Sequence, residues 1–164
     1  MRNVLRQLLI LPAVAAIFSV IAFGQQTNQS IEAPPGARLL LEAKGDGAQV
    51  YTCTDSHWVL KAPDAKLLDA AGQVIGTHFA GPTWRLNDSS EVKGKLIASQ
   101  PAPDGKSIAW LLLGAVPDSG KGKFATVAYI RRTETSGGAA PKEACTSGEL
   151  AVPYAAKYSF YASK

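Results

Sequence analysis

The chain has 164 residues, two cysteines and a formal net charge of +4, of which Arg2 and Arg6 supply two. The remaining excess of about +2 is too small, and its lysines too dispersed, to mark a nucleic-acid partner. Beyond the first two dozen residues the chain is the size of one domain with its own core.

Arg2 and Arg6 precede Leu8 to Phe23, a run without a charged residue, and Gly24 and a polar stretch come next. A basic start, an apolar centre and small residues at Ala22 and Gly24 are the layout of a secretory signal peptide over residues 1–24, cleaved after Gly24. An uncleaved anchor is the competing reading, but the run is short for a span of ~20 residues. No second long apolar segment occurs, so no stable membrane insertion is expected after cleavage. The product is expected to be secreted or periplasmic. Residues 25–36, polar and containing Pro34 and Pro35, read as a disordered leader, and residues 37–164 as a single domain.

From Arg38 onward the chain is a series of short apolar runs separated by turn residues. Arg38 to Ala43 is followed by Gly45-Asp46-Gly47, which reads as a hairpin turn. Gln49 to Thr54 and His57 to Lys61 flank Asp55-Ser56. A short helix is expected near Pro63 to Leu68, with Pro63 at its first position. Gln73 to Phe79 ends at Gly81-Pro82, and Thr83 to Leu86 ends at Asn87-Asp88-Ser89-Ser90. Glu91 to Ser99 alternates, with Val92, Gly94, Leu96 and Ala98 on one side and lysines on the other, as in a half-buried strand. Ile108 to Val116 is apolar on both phases and reads as a strand covered on both faces. Phe124 to Arg132 and Val152 to Tyr161 read as further strands. This pattern predicts an all-β domain, an antiparallel sandwich or barrel, with that one short helix.

Cys53 and Cys145 allow one internal pairing. In an oxidising compartment an even count points to a disulfide closing a loop of ~90 residues. Two buried thiols, or a metal site recruiting His57 or His78, are the alternatives. The spacing Cys53-x-x-x-His57 is a poor ligand signature, so no metal is expected.

Several stretches resemble one family. They are Gln49-Val50-Tyr51-Thr52-Cys53; Gly76-Thr77-His78-Phe79-Ala80-Gly81-Pro82-Thr83-Trp84; Trp110-Leu111-Leu112-Leu113; Tyr129-Ile130-Arg131-Arg132 with Gly137-Gly138; and Val152-Pro153-Tyr154 through Tyr161. In this order, over roughly Ala37 to Tyr161, the chain resembles the DUF3455 family. Asn87-Asp88-Ser89-Ser90 departs from the family's Asp-Gly-Ser at that turn. The resemblance implies a secreted, single-domain, all-β protein and no established reaction.

Gly120-Lys121-Gly122 superficially fits a dinucleotide fingerprint. That fingerprint needs a helix after the glycines, and a strand is expected here, so no cofactor is expected. No nucleophile elbow, zinc-protease helix or phosphate loop occurs. The candidate catalytic residues are His78, as a proton-transfer group, and Asp88, to orient it. They would serve a hydrolase-type enzyme in a pocket near Trp84. The competing and favoured expectation is a non-catalytic binding or structural module of the envelope or secretome. Its ligand surface would lie around His78, Gly81, Pro82 and Trp84. Trp58, Trp84 and Trp110 would suit a small-molecule or carbohydrate ligand if they lined a groove, and otherwise fill the core.

Overall fold

A computed structural model describes residues 30–116 and 120–164. The expected signal peptide, and residues 25–29 of the expected leader, lie outside these residues. The described residues form eight strands: β1 (Arg38–Thr54), β2 (His57–Leu68), β3 (Val74–Phe79), β4 (Thr83–Leu86), β5 (Glu91–Gln100), β6 (Trp110–Ala115), β7 (Val127–Gly137) and β8 (Glu149–Ala162). Each pairs antiparallel with the next, and β8 pairs with β1, so the sheet closes into an up-and-down barrel. The all-β expectation is met, and closure decides between sandwich and barrel. A closed sheet leaves no edge along its paired length.

Period-two alternation builds the wall. On β5, Val92 and Gly94 are buried while Lys93 and Lys95 are exposed. On β8, Tyr154, Ala156, Tyr158, Phe160 and Ala162 line the interior. Facing them are Ala43, Leu67, Trp84, Leu86, Val92, Leu113 and Ile130 from the other strands. β6 is apolar on both phases because both of its faces are covered. Leu113 enters the barrel core, while Leu112 lies outside with Ala98, Trp110 and Tyr129 beneath Ile31.

That second cluster corrects the expected leader. Residues 30–36 are not a free tail: Ile31 is 3% exposed and Glu32 pairs with Arg131 of β7. Three further expectations are also corrected. No hairpin forms at Gly45-Asp46-Gly47, which run straight through β1. The glycines answer to packing instead. A Cβ on Gly45 would stand 2.5 Å from Tyr158 Cε2, and one on Gly47 would stand 2.2 Å from the Asp64 carbonyl oxygen. Glycine inside a strand marks such close approaches. No helix forms at Pro63 to Leu68, because these residues continue β2 against β1. Ala65 and Leu67 alternate inward there, and tertiary packing outweighs the helical start that Pro63 suggested. Finally, Phe124 is not in β7. It ends a 3-10 turn, Gly122–Phe124, and the strand begins at Val127.

Turns alternate between the two ends of such a barrel. One end carries the β2–β3 turn, the β4–β5 turn and the β6–β7 connection. The other carries the β1–β2 turn at Asp55-Ser56, the β3–β4 turn at Gly81-Pro82 and the long connection from β7 to β8.

Candidate functional site

His78 and Trp84 sit opposite each other on β3 and β4 and point into the barrel. Their rings stack at 4.4 Å with planes 7° apart. Tyr158 meets both edge-on, at 5.1 and 5.4 Å, and its hydroxyl lies 3.2 Å from that of Tyr154. His78 is 2% exposed and Trp84 1%. His78 Nδ1–H donates to the Thr83 carbonyl oxygen at 2.9 Å, since a carbonyl only accepts. Burial pushes the imidazole pKa down to about 4, partly opposed by that carbonyl. Burial likewise raises the Tyr154 and Tyr158 hydroxyls above the ordinary phenol range. This is a packed, neutral histidine in an aromatic core.

That burial makes stability depend on pH. The unfolded chain binds a proton at His78 below about pH 6.5, and the folded chain does so only below about pH 4. Stability is therefore full above pH 6.5 and falls as the pH drops to 4, by about 3 kcal/mol at the low end. Urea midpoints measured from pH 7 to pH 4 should show this fall, and His78→Phe should flatten it. The Asp104 carboxyl, held at about 2 by Ser107, titrates below that window.

Asp88 does not meet His78 in a hydrogen bond. It lies in the β4–β5 turn, where its Oδ1 accepts from Ser90 N at 3.0 Å and Ser90 Oγ at 2.6 Å. The Ser90 hydroxyl, the Ser90 amide and then the amide and charge of Lys123 hold its carboxyl below the usual range. Gly81 and Pro82 form the turn at the opposite end of the barrel. Gly81, at φ 117°, supplies a backbone shape that a side chain would strain. The tryptophans do not converge on a groove. Trp84 is interior, Trp110 packs on the outer face against the Ile31 cluster, and Trp58 borders residues 141–144. Cys53 and Cys145 are joined in a disulfide, so neither is a free thiol or a metal ligand.

The structure opens elsewhere. At the barrel end that carries Asp88 is a cavity of about 650 Å³. Leu40, Leu41, Ile75, Leu86 and Phe124 form its apolar walls, and Asp69, Asn87, Asp88 and Lys123 its polar part. Phe124, stacked on Phe160 at 4.7 Å, closes its inner side against the aromatic core. The volume is that of an ordinary small-molecule pocket, and barrel mouths are common places for one. A groove of about 350 Å³ on the outer face is lined by Glu42, Lys44 and Lys157 among others. There Lys157 bridges Glu42 at 3.1 Å and Glu134 at 3.5 Å, so its charges are already matched.

Of the sequence candidates only Asp88 borders the mouth cavity. Leu40, Leu41, Ile75, Leu86 and Phe124 were invisible as a site because each is an ordinary strand or core residue. The one cue is Phe124, a large aromatic that follows Gly120-Lys121-Gly122-Lys123 directly.

A closed eight-stranded meander with a hollow mouth defines a small β-barrel with a pocket of ligand size. The chain belongs to the DUF3455 family, described as proteins of unknown function, whose model matches residues 34–162. No curated protein and no solved structure matches it.

Proposed function

We propose that this protein is an exported, non-catalytic binding module that takes a small, mainly apolar molecule into the mouth of its barrel. The mouth cavity carries the proposal: five apolar side chains wall it, and polar groups stand beside them. Water leaving such walls favours an apolar ligand, at about 25 cal/mol per Å² of apolar surface removed from water. Export rests on the basic-apolar-small layout of residues 1–24 and agrees with the Cys53–Cys145 disulfide. The buried, solvent-shielded His78 favours binding over proton transfer.

The test is a titration of residues 25–164 with N-phenyl-1-naphthylamine, a neutral probe that fluoresces in apolar surroundings. A saturable rise is expected, and Ile75→Lys should lower the affinity at least tenfold with an unchanged far-ultraviolet spectrum. Ile75 is half-buried at the cavity wall, so a lysine there brings a charge to the site. A folded protein that gives no saturable signal would refute the proposal.

A further inference from the structure

We infer that the mouth cavity selects ligands whose head donates hydrogen bonds, an ammonium or a hydroxyl, and discriminates against carboxylates. This preference rests on the binding function proposed above. The polar groups of the lining impose it. Asp69 Oδ1 accepts from Ala71 N at 2.9 Å and Gln73 N at 2.8 Å, which fixes the β2–β3 turn. Asp88 Oδ1 is taken up by Ser90 in the same way. Asn87 Nδ2 donates to the Val74 carbonyl oxygen at 2.8 Å, spending a donor of its amide on the wall.

These bonds orient three acceptor-bearing side chains around one opening and leave acceptor capacity at the second carboxylate oxygen of Asp69 and the amide oxygen of Asn87, while the Lys123 amide also bonds the Asp88 carboxylate. Lys123 supplies the cationic side chain in the lining. Its charge acts on Asp88 and helps to hold that carboxylate ionised. The lining therefore carries two carboxylates against one ammonium, and neither carboxylate is in an ion pair among the described residues. A carboxylate head would meet this field with like charge and no proton to offer. An ammonium or hydroxyl would donate to oxygens already held in place, with its chain against Leu40, Leu41, Ile75, Leu86 and Phe124.

Three ten-carbon chains that differ only in the head test this. Decylammonium, decanol and decanoate would each be titrated at pH 7, below their aggregation limits, against N-phenyl-1-naphthylamine bound to residues 25–164. Decylammonium and decanol are expected to displace the probe at concentrations at least roughly tenfold below decanoate, the effect of one nearby charge at intermediate dielectric. Asp69→Asn keeps an oxygen for the turn amides and removes the charge. It should narrow the gap between decylammonium and decanoate while leaving the thermal midpoint close to that of the parent. Decanoate displacing the probe as well as or better than the others would overturn the head preference and leave the binding function standing. A probe that never binds would overturn both. A gap left unchanged in Asp69→Asn would overturn the role assigned to that carboxylate.

Discussion

Removing the Cys53–Cys145 bridge is expected to cost about 4–5 kcal/mol, since it closes a loop with a sequence separation of 92 residues. In the chain-entropy account the loss arises in the unfolded state, which regains the freedom that the loop had removed. The folded state feels it locally. Residues 138–148 connect β7 to β8 over one end of the barrel. Besides the bridge they are held by Gly138 N to the Pro153 carbonyl oxygen at 2.9 Å, Tyr51 Oη to the Gly138 carbonyl oxygen at 2.6 Å, and Cys145 N to the Ser56 carbonyl oxygen at 3.2 Å. The barrel hydrogen bonds do not depend on the bridge, so Cys53→Ala/Cys145→Ala should still fold, with a much lower urea midpoint. Cleavage by trypsin after the exposed Lys142 should become fast in the variant. Equal midpoints for variant and parent would show that the bridge constrains little.

Trp84→Ala is expected to cost about 3–5 kcal/mol, the usual range for emptying a large aromatic from a core. Trp84 packs on His78, Tyr158 and Phe160, the last at 6.0 Å. Gly94 lies under its ring, where a Cβ would stand 3.1 Å from Cζ3. A hydrogen-bonded barrel wall collapses poorly around a void, which puts this site toward the upper part of the range. The indole N–H has no hydrogen-bond partner among the described residues, so removing it breaks no hydrogen bond and relieves an unpaired buried donor, which keeps the cost within that range. Trp84→Phe should cost less, and Trp110→Ala on the half-covered outer face less than Trp84→Ala. Denaturant unfolding measures all three. A cost near zero for Trp84→Ala would mean that the ring does not hold the barrel interior together.

The wall of this barrel was legible where one rule governed a stretch. Glu91 to Lys95 alternates because one face is wet, and the strand results. Ile108 to Val116 is apolar on both phases because both faces are covered, although nothing in the pattern said that Ile31 covers the outer one. Legibility failed where a residue served a distant partner. Gly45 and Gly47 look like a turn because glycine favours turns, yet they are small to admit Tyr158 and β2. Pro63 looks like a helix start, yet β1 recruits it into a strand. His78 and Trp84 stood out as unusual residues near a turn, and they are unusual because they fill the barrel together. The mouth cavity had no local signature. It arises from strand closure, which brings Leu40 and Leu41 of β1 beside Ile75 and Leu86, with Phe124 at its inner side.

The central claim is that an apolar ligand enters this mouth. Amide and methyl NMR spectra of residues 25–164, recorded with increasing decanol, test it most directly. The expected result is saturable shifts concentrated at Leu40, Leu41, Ile75, Leu86 and Phe124, with the β3–β4 turn at Gly81 unmoved. Shifts clustered at Gly81 and Pro82 instead, or none that saturate, would contradict it.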